Sequence, residues 1–293
     1  MSISSKFHVL VMLSFLVAVQ LIALAITPAI SATDNRVFED PASISNPIIY
    51  MLLILIFTAI LLLAIKLKGD WLVRGFILIS IALTIFYVIS AIMPMWLALL
   101  PTLAVMLLLH YYPEWYILDA FGILVCAAVA SLLGVSMTVL PVIILMVILA
   151  VYDAISVYKT RHMVALAEGA IKMKAPLLFV VPKSRDYSFR RKDAVSISMG
   201  NDKKKGDRGA YFLGMGDAII PSILVISASW SYPPGDILGL NFPALGAMLG
   251  TYAGFILLMT TSRDRPQAGL PFLNSGSILG FLAGCLAAGI QPF

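Results

Sequence analysis

The apolar segments LAVYDAISVY (residues 149–158) and YFLGMGDAIIPSILVI (residues 211–226) each contain one acidic residue, Asp153 and Asp217. Both segments have the composition of membrane-spanning helices, in which a charged residue costs at least about 2.5 to 3.5 kcal/mol. Ionisable residues at membrane depth usually face the interior of a helix bundle and take part in function. The two aspartates are therefore the first candidates for a functional pair.

The composition around them is typical of a polytopic α-helical membrane protein. Hydrophobic residues make up 61% of the 293 positions and charged residues only 12%, which is too apolar for a soluble core. We expect a single membrane-embedded protein domain over residues 1–293, composed of spans one to six (1–158), a basic loop (159–208) and spans seven to nine (209–293). The nine predicted transmembrane helices are residues 7–30, 47–67, 71–92, 94–112, 116–135, 137–158, 209–230, 242–261 and 269–289.

The distribution of Lys and Arg predicts the orientation of these spans. With a cytoplasmic N-terminus and an outside C-terminus, every Lys and Arg except Arg36 lies on the cytoplasmic side. The net charge of +5 then indicates attraction to anionic lipid, and no aromatic and basic pattern indicates nucleic-acid binding. A cleavable signal peptide over the first span is the alternative reading of that segment, although its apolar stretch is long for that role.

The two aspartates are expected at similar depths on consecutive antiparallel helices. Counting from Lys159 and Arg208 at about 1.5 Å per residue places Asp153 and Asp217 roughly 9 and 13 Å below the cytoplasmic surface. Two carboxylates that face each other hold one proton between them, because both cannot ionise at close range. One then accepts a proton from water while the other donates to a peptide carbonyl, which is the chemistry of aspartic proteases.

Glycine and proline near these positions fit an enzyme that acts on an extended chain. Gly214 and Gly216 thin the helix before Asp217 and leave room for a substrate backbone, although packing against a neighbouring helix is the alternative. Pro271 near the start of the last span is expected to leave the backbone from Gly269 to Leu273 free to pair with an unwound substrate. A simple helix-starting proline is the alternative.

Three short motifs carry a family resemblance. Tyr152-Asp153, Gly214-Met215-Gly216-Asp217 and Pro271-Phe272-Leu273 resemble the YD, GxGD and PAL motifs of the presenilin and signal peptide peptidase family, and the chain is most like a microbial, archaeal-type presenilin homologue. The third motif departs from the family at Phe272, which stands where the family has alanine. A literal Pro-Ala-Leu at residues 243–245 opens the eighth span, and its order in the chain marks it as a chance occurrence.

The resemblance implies an intramembrane aspartyl protease that cleaves transmembrane segments of other proteins in the lipid bilayer of the cell membrane. It implies no cofactor, and a homo-oligomer stays open. The orientation matches the presenilin branch, whose substrates have an outside N-terminus. By the same resemblance, the catalytic residues are Asp153 and Asp217, their active-site support is Tyr152, Gly214 and Gly216, and the substrate-binding residues are Pro271, Phe272 and Leu273.

The basic loop contains two segments with regular patterns. Residues 162–172 have apolar positions at helical spacing and predict an amphipathic helix at the membrane interface, for substrate gating or for anchoring. Residues 176–182 (PLLFVVP) predict a β-strand bracketed by prolines. This strand is expected to offer an edge to substrate or to pack on the membrane surface, and the resemblance to presenilins makes it a candidate plug or self-cleavage site.

The remaining polar residues give few further candidates. Glu114 and Asp119 are expected to be solvated charges where the fifth span meets the cytoplasm. His8, His110 and His162 lack the spacing of metal ligands, so no metal site is expected. The alternative function from another class is a proton- or cation-coupled transporter or channel that uses the same two aspartates.

Overall fold

The structure, a computed structural model, consists of membrane-type helices with one small β-hairpin. It describes residues 3–32, 37–67, 70–91, 93–160, 177–183, 210–235, 239–261 and 267–292. In lipid every backbone polar group needs an internal partner, and long apolar runs satisfy this by forming helices. The helices of the described residues are α1 (Ile3–Ser31), α2 (Ser45–Lys66), α3 (Asp70–Ser90), α4 (Met95–Tyr111), α5 (Trp115–Ser136), α6 (Val139–Ile155), α7 (Met215–Ser231), α8 (Phe242–Thr261) and α9 (Leu270–Ala288).

These helices agree closely with the predicted apolar spans. Seven of them are long and apolar enough to cross a membrane, α6 when it is counted with the turn that continues it to Lys159, and the other two, α4 and α7, are apolar helices of 17 residues. The predicted amphipathic helix at residues 162–172 lies outside the described residues.

The hairpin pairs two segments that are far apart in sequence. Strand β1 (Leu178–Pro182) is antiparallel to β2 (Ala210–Gly214), with Val180 opposite Phe212 and Leu178 opposite Gly214. The strand predicted over residues 176–182 is therefore confirmed. The expected start of the seventh helix at residue 209 is wrong, because Ala210–Gly214 is extended and α7 begins at Met215.

The reason for this difference is non-local. Gly214 has extended backbone angles (φ −64°, ψ 135°), and the strand it ends is paired with residues 28 to 36 positions earlier. The depth of Asp217 therefore cannot be counted from Arg208 at the helical rise of about 1.5 Å per residue, because a strand rises about 3.3 Å per residue.

The core lies between α1 and the helices from α5 to α9. Small side chains bring these helices together: Ser131 of α5 donates to the Ala23 carbonyl of α1 at 2.7 Å, and Thr27 donates to Ser131 at 3.2 Å. Helices α2, α3 and α4 form a more exposed layer at the side. The buried half of the molecule thus includes both segments that carry the aspartates.

Candidate active site

Asp153 lies at the end of α6, two residues before the helix gives way to a π-helical turn (Ser156–Thr160). Its side chain is buried, with 5% of its surface exposed. Ser156 Oγ donates to the Tyr152 carbonyl at 2.6 Å, so this carbonyl has a hydrogen-bond partner where the α-helix changes to the π-helical turn. Such π segments occur frequently at functional sites, because they redirect side chains within a helix.

Asp217 lies in the first turn of α7, and its carboxylate accepts a hydrogen bond from the backbone of Gly214, the residue that caps the helix. A carboxylate at this position is favoured, because the first-turn N–H groups give the helix N-terminus a partial positive charge. Asp217 is half-buried and Gly216 beside it is exposed. A methyl group added at Gly216 would meet no atom within 4 Å, so α7 adjoins open space at the residue before Asp217.

The start of α9 brings the two carboxylates together. Leu270 N donates to Asp153 Oδ2 at 3.2 Å, and the Gly269 backbone also bonds to Asp153. A methyl group added at Gly269 would lie only 2.8 Å from Asp217 Oδ2. Asp153 and Asp217 therefore both lie against the adjoining residues Gly269 and Leu270, and their carboxylates interact electrostatically.

The backbone around Pro271 is helical rather than free. Leu270 is the first residue of α9 and Pro271 the second, while the N–H groups of Phe272 and Leu273 both donate to the Gly269 carbonyl at 3.2 Å. The expectation that the amides from Gly269 to Leu273 are unpaired is wrong in this structure. The proline fits the first helical turn, where its missing N–H leaves no helical bond unmade.

The other residues of the third motif join α9 to its neighbours. Leu273 is buried in an apolar cluster that includes Phe255 and Ala218. The Phe272 carbonyl lies so close to Gly254 of α8 that a side chain at residue 254 would collide with it. The literal Pro-Ala-Leu packs near Gly284, at the opposite end of α9 from the aspartates.

Asp119 is not the solvated charge that its sequence position predicts. Its side chain is 3% exposed, and Oδ1 accepts a hydrogen bond from the Val180 N–H of β1 at 2.8 Å. Its other oxygen, Oδ2, is buried and has no hydrogen-bond partner. The prediction failed because the strand that covers Asp119 comes about 60 residues later in the chain.

Three further residues near the pair were missed by the motif analysis. Gly269 contacts both aspartates and is recognisable only as a small residue before Pro271. Tyr158 O–H donates to Gln267 Oε1 at 3.2 Å and accepts from Ala268 N at 3.4 Å, so it links the π turn to the segment before α9. Asn274 Nδ2 donates to the Met146 carbonyl at 2.8 Å and joins α9 to α6. An amide in an apolar helix is the signal that identifies Asn274.

The chemistry available at this site is that of paired carboxylates. Two acidic groups lie together at the ends of three helices, the Leu270 N–H donates to one of them, and open space adjoins Gly216, the residue before the other. Within the described ranges, no group of three His, Cys, Asp or Glu side chains is placed to hold a metal ion.

A family model described as signal-peptide peptidase, presenilin aspartyl protease matches residues 13–290. The chain belongs to the presenilin and signal peptide peptidase family of intramembrane aspartyl proteases. The aspartic endopeptidase activity expected from the three motifs is thus that of the family, which makes the chain an integral membrane protease with several spans. No curated protein sequence matches the chain.

Solved structures agree with this family. A presenilin family intramembrane aspartate protease, solved in a C222 crystal form, is 35% identical and has a TM-score of 0.67, over 95% of this chain and 97% of that one. A structure in a P2 form gives the same identity and TM-score over 94% and 96% of the two chains. Neither these structures nor the family model describes a transporter, so the transporter alternative receives no support.

Proposed function

We propose that Asp153 and Asp217 are the catalytic pair of this protease and hydrolyse peptide bonds within transmembrane segments. The observation that carries the proposal is that Asp153 accepts the Leu270 N–H while Asp217 lies against Gly269, the preceding residue, at the start of α9.

The two acids take complementary roles in this proposal. Leu270 N donates to Asp153 Oδ2 at 3.2 Å, and Asp217 lies in the first turn of α7. One carboxylate takes a proton from water while the other donates a proton to the substrate carbonyl oxygen. The first carboxyl then gives the proton it took from water to the leaving nitrogen as the C–N bond breaks, and one hydroxyl of the tetrahedral intermediate returns a proton to the second carboxylate.

The substrate needs an extended backbone beside Asp217. Gly216 adjoins open space, and the outer edge of β2, the strand that leads into α7, has no partner strand among the described residues. In this proposal a substrate helix docks between α2, α6 and α9, unwinds near Pro271, and pairs with the edge of β2. Pro271, Phe272 and Leu273 would then contact the chain next to the scissile bond, and Tyr152 would supply a hydrogen bond beside the pair.

The proposed arrangement in the cell membrane follows the charge distribution. Nine spans with a cytoplasmic N-terminus and an outside C-terminus put the basic residues 159–208 on the cytoplasmic side. Water then reaches the pair from that side, because both aspartates lie near the adjoining ends of α6 and α7. Substrates of the matching polarity are single-span segments with an outside N-terminus.

The test uses purified full-length protein and a model transmembrane peptide, with products identified by mass spectrometry. Asp153→Ala and Asp217→Ala should each abolish cleavage while the protein stays folded, because each removes a costly membrane-embedded acid. The isosteric Asp153→Asn and Asp217→Asn variants should be equally inactive. Asp40→Ala is the matched control, since Asp40 is an exposed carboxylate outside the helices. Cleavage retained in both single alanine variants would refute the assignment.

A further inference from the structure

The β-hairpin that leads into Asp217 is attached to α5 through one buried carboxylate. Asp119 Oδ1 accepts the N–H of Val180 at 2.8 Å, and Val180 is itself 1% exposed. Because this N–H points to α5, it is not available to β2, and Asp119 covers the outer edge of β1 at its central residue. The carboxylate therefore attaches the middle residue of β1 to α5.

The connection from Asp119 to Asp217 is short and direct. Val180 stands opposite Phe212 in the register of the hairpin, and β2 ends at Gly214, the residue that bonds to Asp217. The Met215 N–H also donates to the Leu177 carbonyl at 3.2 Å, so the residue just before β1 contacts the first residue of α7. A displacement of β1 would thus be transmitted to the first turn of α7.

The same face of α5 contacts the start of α7 at two more points. Cys126 Sγ lies 3.8 Å from the Met215 carbonyl, in the geometry of a weak S–H donor. Gly122 lies against the Met215 side chain, where a methyl group would collide with its terminal carbon. Positions 119, 122 and 126 have the spacing of a single helix face. This face supports both the hairpin and the residue two positions before Asp217.

We propose that Asp119 is a positioning residue for the cleavage reaction, which holds the hairpin so that Asp217 faces Asp153. This inference rests on the proposed catalytic pair. The contribution comes from Oδ1 as a hydrogen-bond acceptor, because Oδ2 has no partner whose loss would matter. An asparagine has the same shape and keeps an acceptor oxygen, whereas alanine and leucine have none.

The experiment measures cleavage of the model transmembrane peptide by the full-length protein carrying Asp119→Ala, Asp119→Leu or Asp119→Asn. Active sites are titrated with a hydroxyl-bearing transition-state mimic, so that the rate is expressed per competent site. We expect kcat per site to fall about tenfold to hundredfold for the alanine and leucine variants with KM nearly unchanged, as for a misplaced catalytic group. The asparagine variant should stay within about threefold of the unmodified protein, since it retains the acceptor.

Ser227→Ala is the matched control. Ser227 also makes a buried hydrogen bond from its side chain to the backbone, in which its hydroxyl donates to the Met137 carbonyl at 2.8 Å. This bond lies near the end of α7 that is far from Asp217. The variant should leave kcat per site unchanged, which separates local positioning from general loss of buried bonds. The leucine variant fills the space of the lost carboxyl, so at least one acceptor-free variant is compatible with folding.

The outcomes are distinct for the two proposals. Full kcat per site in the alanine or leucine variant would overturn the role of Asp119 while Asp217→Ala stays inactive. An asparagine variant as slow as the alanine variant would overturn it as well, because the acceptor would then not be the contribution. Cleavage by Asp217→Ala would instead refute the proposed catalytic pair. The inference about Asp119 would then fail as well.

Discussion

The helix pair α8–α9 and the layer of α2, α3 and α4 all consist of apolar helices, but they pack in opposite ways. In α8–α9, glycines at every fourth position face each other so closely that any added side chain would strike the backbone of the partner helix; they are Gly246, Gly250, Gly254, Gly276, Gly280 and Gly284. In α2, only 6% of the residues in the apolar window of the span are buried. In α5, a helix of the core, 56% are buried. Apolar character therefore does not determine packing here.

The physical reason lies in the solvent. Lipid tails are as apolar as leucine, so large apolar side chains gain little by leaving them, whereas small residues let two backbones approach closely. Helix α2 contains no glycine, and the single glycine of α3, Gly75, adjoins open space. The closely packed pair also carries the start of α9, where both aspartates make their contacts. Rigid packing and the candidate chemistry thus occur in the same half of the molecule.

The strongest test of this comparison is Gly250→Ala in α8. The added methyl would collide with the Gly276 carbonyl, so the two backbones must separate. We expect a loss of about 2 to 3 kcal/mol in the free energy of unfolding, together with loss of cleavage, because α9 is displaced. Thermal unfolding in detergent and peptide cleavage measure the two effects.

Gly75→Ala is the control for this change, since it adds the same methyl group to α3 in open space. It should leave both stability and cleavage unchanged. Equal losses from the two substitutions would show that close backbone approach is not what distinguishes the two regions.

Gly269→Ala sharpens the comparison within the closely packed half. Here the added methyl would meet the carboxylate of Asp217 at 2.8 Å rather than a backbone, and a side chain moves aside more easily. We expect kcat to fall about tenfold to hundredfold while the unfolding temperature changes little. A variant with normal kcat would contradict the placement of Asp217 against Gly269.

Asn274→Leu tests whether polar bonding adds to glycine packing at α9. The change removes the bond from Nδ2 to the Met146 carbonyl, but also removes Oδ1, which is buried without a partner. We expect a stability change below about 1 kcal/mol, since hydrogen bonds between membrane helices average about 0.6 kcal/mol. Cleavage should fall severalfold, because α9 loses its bond to the helix that carries Asp153.

The control for this variant is Thr251→Val, which removes a hydroxyl that bonds only within α8, to the Ala247 carbonyl. It should have no effect on cleavage. A stability loss of several kcal/mol for Asn274→Leu would mean that the polar bond, rather than the glycines, holds α9 in place.

The smallest effect is expected for Leu53→Ala in α2. Leu53 is 56% exposed and would face lipid, so truncation should change stability by less than about 0.5 kcal/mol. The same truncation at the fully buried Leu224 of α7 should cost about 2 to 5 kcal/mol. Similar losses at both positions would show that α2 is more tightly packed than its exposure indicates.

Much of the fold was predictable because lipid imposes one rule on every span. The helices from α1 to α9 coincide with the apolar runs, and the strand at residues 178–182 matches its proline-bracketed pattern. The candidate pair was also predictable, since an aspartate at membrane depth is rare and costly. These are local properties, which a residue carries whatever its neighbours in space are.

What the sequence by itself determined is the set of membrane helices, the family and the two acidic candidates. The tertiary structure alone decided three features. A strand precedes α7, Asp119 is buried under β1, and the segment Gly269–Leu270 lies against both aspartates. Each of these features depends on residues distant in sequence. Hydrophobic patterns report how one segment meets lipid or water, whereas such contacts arise only after the helices and the hairpin have packed together.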